Sequence, residues 1–143
     1  MYKVYIAIFL SFVSHLNYAE EGTTNPLASF RWEHRIIVLH VEDSNVKSLT
    51  KMLSGSRAAI DERHVLWFLL SDTDLKTNFE GQLKEGFRDA LKHYHNIQAG
   101  PEYRVLLVGK DGGVKAKQKN LKLQELFDRI DSMPMRRREM QEP

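Results

Sequence analysis

Ile36-Ile37-Val38-Leu39-His40-Val41 is an unbroken run of β-branched and aliphatic residues interrupted only by one histidine, and Asp43-Ser44-Asn45 follows it directly. Apolar residues without polar alternation predict a strand covered on both faces, as in a sheet flanked by helices. Asp43, Ser44 and Asn45 offer N-cap side chains. Val46, Leu49, Met52 and Leu53 then recur at helical spacing until Gly55. Val65-Leu66-Trp67-Phe68-Leu69-Leu70 repeats the strand signal. Two buried strands joined by a helix predict a parallel pair.

Working outward, the polar stretch 71–78 reads as a connection, and a helix is expected from Phe79 to Asn96 with Leu83, Phe87, Ala90, Leu91 and Tyr94 on one face. Gly86 weakens that helix locally. Tyr103 to Val108 and Val114 to Lys117 are strand-like runs around Gly109-Lys110-Asp111-Gly112-Gly113, and Asp-Gly between such runs predicts a tight hairpin. Leu121, Leu123, Leu126, Phe127 and Ile130 form a last helical stripe, which Met133-Pro134-Met135 is expected to stop. The resulting order, β-α-β-α-β-β-α with a parallel first pair and a closing antiparallel hairpin, is that of a thioredoxin-like three-layer α/β sandwich. Another α/β sandwich of the same order remains open.

At the other end, Met1-Tyr2-Lys3 and the apolar run Val4 to Val13 have the charged start and short greasy core of a secretory signal peptide. Cleavage is expected after Ala19. An uncleaved anchor or a buried first helix is the rival. The run is shorter than the roughly 20 apolar residues a spanning helix needs, so no transmembrane segment is expected after removal and the chain is expected to be secreted or periplasmic. Residues 20–29 read as a flexible lead-in, 30–140 as one domain and 141–143 as a tail.

The chain has 143 residues and no cysteine, which excludes disulfides, thiol catalysis and cysteine-ligated metal clusters. The formal charge is only +2, so no nucleic-acid partner is expected. Its distribution is uneven. Residues 20–103 hold 10 basic and 13 acidic groups, whereas residues 104–143 hold 10 basic and 6 acidic.

The segments Val108-Gly109-Lys110-Asp111-Gly112-Gly113-Val114-Lys115 and Ile130-Asp131-Ser132-Met133-Pro134-Met135-Arg136-Arg137-Arg138-Glu139-Met140 resemble the two signature stretches of a domain of unknown function. That domain, also called the peroxiredoxin-like DUDES domain, occurs in sushi-repeat-containing proteins, in coiled-coil-domain-containing protein eighty and in single-domain exported bacterial proteins. Trp32 with Arg35, and Asp61 with Arg63, are similar to its weaker positions. The resemblance implies a thioredoxin-like fold and a link, through the animal members, to extracellular matrix and cell adhesion. It carries over no catalytic residues.

In a thioredoxin-like enzyme the reactive thiols sit at the start of the first helix, where the helix N-terminus stabilises a thiolate. Here that place reads Glu42-Asp43-Ser44-Asn45-Val46, without sulfur. Pro101 fits poorly the proline position before the third strand. A thiol-independent enzyme would draw on a carboxylate or histidine site at Asp43, Asp72 and Asp74, near the C-terminal ends of the first two strands, although capping and turn formation is the commoner role of such aspartates. His93 and His95, two apart on a helix, face differently and read as a solvated pair. Gly109-Lys110 lacks the context of a phosphate loop. No metal or cofactor is expected.

The basic end is the better candidate for a non-catalytic binding or interaction module. The topology brings the turn at Lys110 and Asp111 to the pole where Arg136, Arg137 and Arg138 arrive. A structural lock would pair Asp111 and Asp131 with the arginines; a docking surface would leave the cations to a protein or polyanion such as a glycosaminoglycan. Alternation along a strand would align Lys115, Lys117 and Lys119 on one face. The same lysines would also protect an edge strand from aggregation.

Overall fold

A computed structural model describes residues 24–97 and 104–142. The two apolar runs are strands β1 (Arg35–His40) and β2 (Val65–Leu70), paired in parallel from Arg35↔Val65 to His40↔Leu70. Every residue of both is buried, because the sheet carries helices on both faces. The connection contains two helices, α1 (Asp43–Gly55) and the short α2 (Arg57–Glu62).

The polar stretch after β2 is not all loop. Leu75–Thr77 forms β3, antiparallel to β2 at one edge of the sheet. Asn78 extends the pairing with its side chain: Oδ1 accepts from the Trp67 amide at 2.8 Å and Nδ2 donates to the Val65 carbonyl at 3.0 Å. The helix expected from Phe79 is cut to α3 (Phe87–Tyr94). Gly86, at φ +74°, turns the chain immediately before it, a backbone conformation that glycine adopts without steric cost. Phe79 and Leu83 still pack on the core from the preceding loop.

Strands β4 (Val105–Val108) and β5 (Val114–Gln118) form the expected hairpin. β4 lies antiparallel to β1, giving the order β3-β2-β1-β4-β5 in a mixed five-stranded sheet. Proline does end α4 (Leu123–Asp131), but Pro134 opens another helix, α5 (Pro134–Glu139). It sits in the first turn, where the missing N–H has no intrahelical partner to lose.

Alternate residues of each central strand feed two cores. Ile36, Val38, Phe68 and Leu106 pack with Phe30, Phe87 and Leu91; Ile37, Leu39, Trp67 and Leu107 pack with Leu53, Ile60, Phe127 and Ile130. The second core lies beneath α1, α2 and α4. The expected lead-in is structured from the first described residues: Leu27 is buried in the Phe30 core, and a 3-10 turn spans Ala28–Phe30. The signal segment, its cleavage point after Ala19, residues 20–23, Pro101 and Tyr103 lie outside the described residues.

Candidate functional site

β1 opens on a buried arginine, and a half-buried one stands just before β2. Arg35, the first residue of β1, is 1% exposed, and Arg63 precedes β2. A buried guanidinium needs a carboxylate and further hydrogen-bond acceptors to offset its desolvation. α5 supplies the partner for Arg35: its Nη1 and Nη2 donate to the two Glu139 oxygens at 3.1 and 3.2 Å. Lys110, from the hairpin turn, donates to the same carboxylate at 2.7 Å and meets His64 Nδ1 at 2.9 Å. Glu139 thus ties strand, turn and C-terminal helix together.

A second cluster adjoins the first. Arg63 makes a two-pronged pair with Asp131 at 3.0 and 2.6 Å and lies over the Phe127 ring at 4.6 Å. Arg136, 4% exposed, donates to Asp131 at 3.2 Å and to the Glu62 carboxylate at 2.6 Å. Burial alone would raise the Glu139 carboxyl, but hydrogen bonds and positive charge from Arg35 and Lys110 hold it at about 2. Burial likewise opposes Asp131, and Arg63 and Arg136 carry it below the ordinary aspartate range. Burial and the Lys110 charge lower His64, favouring the neutral ring that accepts from the ammonium.

The expected meeting of Lys110 and Arg136 therefore occurs, and Glu139 is the group between them, with Arg136 Nη1 3.8 Å from it. Asp131 pairs with arginines as expected. Asp111 does not: it pairs with Lys115 at 2.7 Å and accepts the Gly113 amide at 3.0 Å, and both contacts hold its pKa down. Its carbonyl accepts twice from Arg31, at 2.8 and 3.1 Å. Beside it, Trp32 is 64% exposed at φ +70°, its amide donating to the Lys110 carbonyl at 2.7 Å.

The alignment of Lys115, Lys117 and Lys119 is overturned. A bulge shifts the register between Leu107 and Val108, so that Val108 faces Val114 and Leu107 faces Ala116. Lys115 is the extra residue, and bulges break the two-residue alternation. Lys117 lies opposite Leu106, while Lys119 falls beyond the end of β5.

Arg137 and Arg138 are exposed, and among the described residues neither they nor Arg129 enters an ion pair. Arg129 and Arg138 stand around a depression of about 410 Å³ between the hairpin turn and the α4–α5 junction. Lys115, Met133 and Pro134 contribute to its walls, and the buried Arg35 and Lys110 also line it.

At the opposite pole the three aspartates engage separate partners. Asp43 accepts from Thr73 Oγ1 at 3.0 Å, its pKa lowered by hydrogen bonds from Ser71 and Thr73. Asp74 pairs with Lys76 at 2.8 Å. The exposed Asp72 lies 3.7 Å from Nε2 of the buried His40 and 3.6 Å from Lys92. Burial, then the Lys92 charge, lower the His40 pKa. None of these carboxylates lines the depression at the hairpin pole. Among those residues no group of three or more His, Asp or Glu could hold a metal ion. His95 is partly buried against Tyr94, rings 4.8 Å apart, rather than solvated, and burial lowers its pKa.

Reading the sequence placed Lys110, Asp131 and Arg136 at this site but assigned no role to Glu62, Glu139 or His64. The available signal was chemical: Glu139 is the one acid at the end of an arginine run, three residues from Arg136. Arg35, noted only for its resemblance, opens the run Ile36 to Leu39, and Arg63, likewise noted, stands one residue before the apolar run Val65 to Leu70.

A family model described as Domain of unknown function (DUF4174) matches residues 26–139. The chain is 32% identical over 138 residues to coiled-coil domain-containing protein 80 of Danio rerio, an alignment covering 81% of this chain and 16% of that relative. No solved structure matches.

Proposed function

We propose, for a chain that belongs to the DUF4174 family of domains of unknown function, a non-catalytic binding module of thioredoxin-like topology that works in a secreted or periplasmic setting. The strand order β2-β1-β4-β5, with β1 parallel to β2 and antiparallel to β4, supports that topology; β3 is an addition at the edge. The position that holds thiols in redox members of such folds carries Glu42-Asp43-Ser44-Asn45 instead. The charged start and apolar run of residues 1–13 support export.

One observation carries the binding reading. At the pole where the two signature stretches meet, the buried cations are matched by Glu139, Asp131 and Glu62, while Arg129, Arg137 and Arg138 stand outside that network. The network is the lock, and the arginines left over are the docking surface for a protein or polyanion, with glycosaminoglycan as the polyanion tested first. Heparin chromatography of the folded chain tests this. Retention is expected to weaken steeply with salt, as charge-driven contacts do, and to drop on Arg137→Glu/Arg138→Glu. Reversal of Lys115, Lys117 and Lys119 is expected to have the smaller effect, since Lys115 is already paired with Asp111. Retention indifferent to salt and to the arginines would overturn the polyanion reading. A secreted product whose first residue is Glu20 would support export; retention of residues 1–19 would count against it.

A further inference from the structure

We propose that the depression between the hairpin turn and the α4–α5 junction is a carboxylate-binding pocket for a small amphipathic ligand, gripped by Arg129 and Arg138 against a wall of Met133, Pro134 and Met135. The inference rests on the reading of this pole as a binding surface and deepens it by naming a ligand class.

Charge selects an anion. Arg35, Lys110, Lys115, Arg129 and Arg138 line the depression, against Asp111 in its lining and Glu139 behind it. Glu139 is held by Arg35 and Lys110, and Asp111 by Lys115 and the Gly113 amide. Among the described residues neither carboxylate pairs with Arg129 or Arg138. A guanidinium is a planar fork that matches a carboxylate through two parallel hydrogen bonds.

Shape and chemistry narrow the class. A volume of about 410 Å³ falls within the range of small-molecule pockets. Phosphate sites are commonly built from free backbone amides in a nest. Here the three glycine amides of the turn are engaged internally: Gly109 donates to Gly113 at 2.8 Å, Gly112 to Gly109 at 2.9 Å and Gly113 to Asp111 at 3.0 Å. Met133, Pro134 and Met135 line the depression together with Gly109 and Ser132, and methionine adapts its shape to an apolar body. An apolar acid satisfies both halves of the pocket, whereas phosphate or sulfate satisfies only one.

The test is an NMR titration of the full folded chain with hexanoate, hexanamide and inorganic phosphate. Hexanoate is expected to shift the Arg129 and Arg138 Nε–H signals and the Met133 and Met135 methyls saturably, with hexanamide inert and phosphate weaker. Arg129→Gln/Arg138→Gln is expected to weaken hexanoate by about tenfold or more, the scale of a lost charge-assisted contact. Lys51→Gln, on the exposed face of α1 and outside the lining, is expected to leave it unchanged. No saturable shift, equal response to hexanamide, phosphate binding as tight as hexanoate, or indifference to the double substitution would each overturn the proposal. Heparin retention that survives any of these outcomes leaves the polyanion reading standing while the pocket fails; hexanoate binding without heparin retention does the reverse.

Discussion

Lys110 and Glu139, 29 positions apart, meet at 2.7 Å in a contact where the lysine is 9% exposed and the glutamate side chain 18%. Arg35 closes the other side of the same carboxylate. One acid is therefore the shared carboxylate partner of two buried cations, and both lose it when that acid is removed. Glu139→Gln is expected to cost about 3–5 kcal/mol, the scale for breaking a buried pair and stranding its partners. The combined replacement of Arg35, Lys110 and Glu139 by Met, Met and Leu is expected to cost less than the single change. Urea unfolding of both variants checks this, and a single-variant loss under about 1 kcal/mol would mean the contact behaves like a surface pair.

Acid should unlock the same pole. Glu139 titrates near 2 in the folded chain against an ordinary value of 4.5, so its contribution is complete above 4.5 and is lost as pH falls toward 2. The span corresponds to about 3 kcal/mol at neutral pH. His64 adds a milder loss that begins higher. Its folded pKa lies below 6.5, so the unfolded chain binds the proton first as pH drops through 6.5. Stability measured from pH 7 to 2 should fall in that order, and Glu139→Gln should flatten the acidic limb. An unchanged limb in that variant would assign the loss to other carboxylates.

Arg136 and Arg137 are neighbours with opposite fates. Arg136 is buried against Glu62 and Asp131, while Arg137 faces solvent and has no ion pair among the described residues. Arg136→Gln is expected to destabilise the fold by about 2–4 kcal/mol by leaving Asp131 and Glu62 without this partner. Arg137→Gln should stay within about 0.5 kcal/mol. Thermal unfolding of the two variants distinguishes a lock from a surface, and equal losses would deny the distinction.

Two glycines adopt positive φ for different reasons. Gly86, at +74°, has open space where a Cβ would stand, whereas a Cβ on Gly112, at +85°, would come 2.9 Å from Arg31 Nε. Gly86→Ala is expected to cost about 1 kcal/mol from the backbone alone. Gly112→Ala should cost about 1–2 kcal/mol more, since Arg31 must also leave the Asp111 carbonyl. Chemical denaturation of both variants measures the difference; a smaller loss at Gly112 would mean that Arg31 yields freely.

The sequence by itself determined β1, β2, the hairpin and the helices α1 and α4, because those patterns answer to local geometry and to burial on a known face. The lack of cysteine likewise settled the question of thiol chemistry without coordinates. Only the tertiary structure decided where Lys110, Arg35 and Glu139 would meet, since a charged side chain carries no periodicity that names a distant partner. It also decided that Lys115 leaves the lysine alignment, because one extra residue in a strand is invisible until the opposing strand fixes the register. The short elements β3, α2 and α5 belong with these: each is too brief to be stable through local propensity, and packing against the sheet holds it in place.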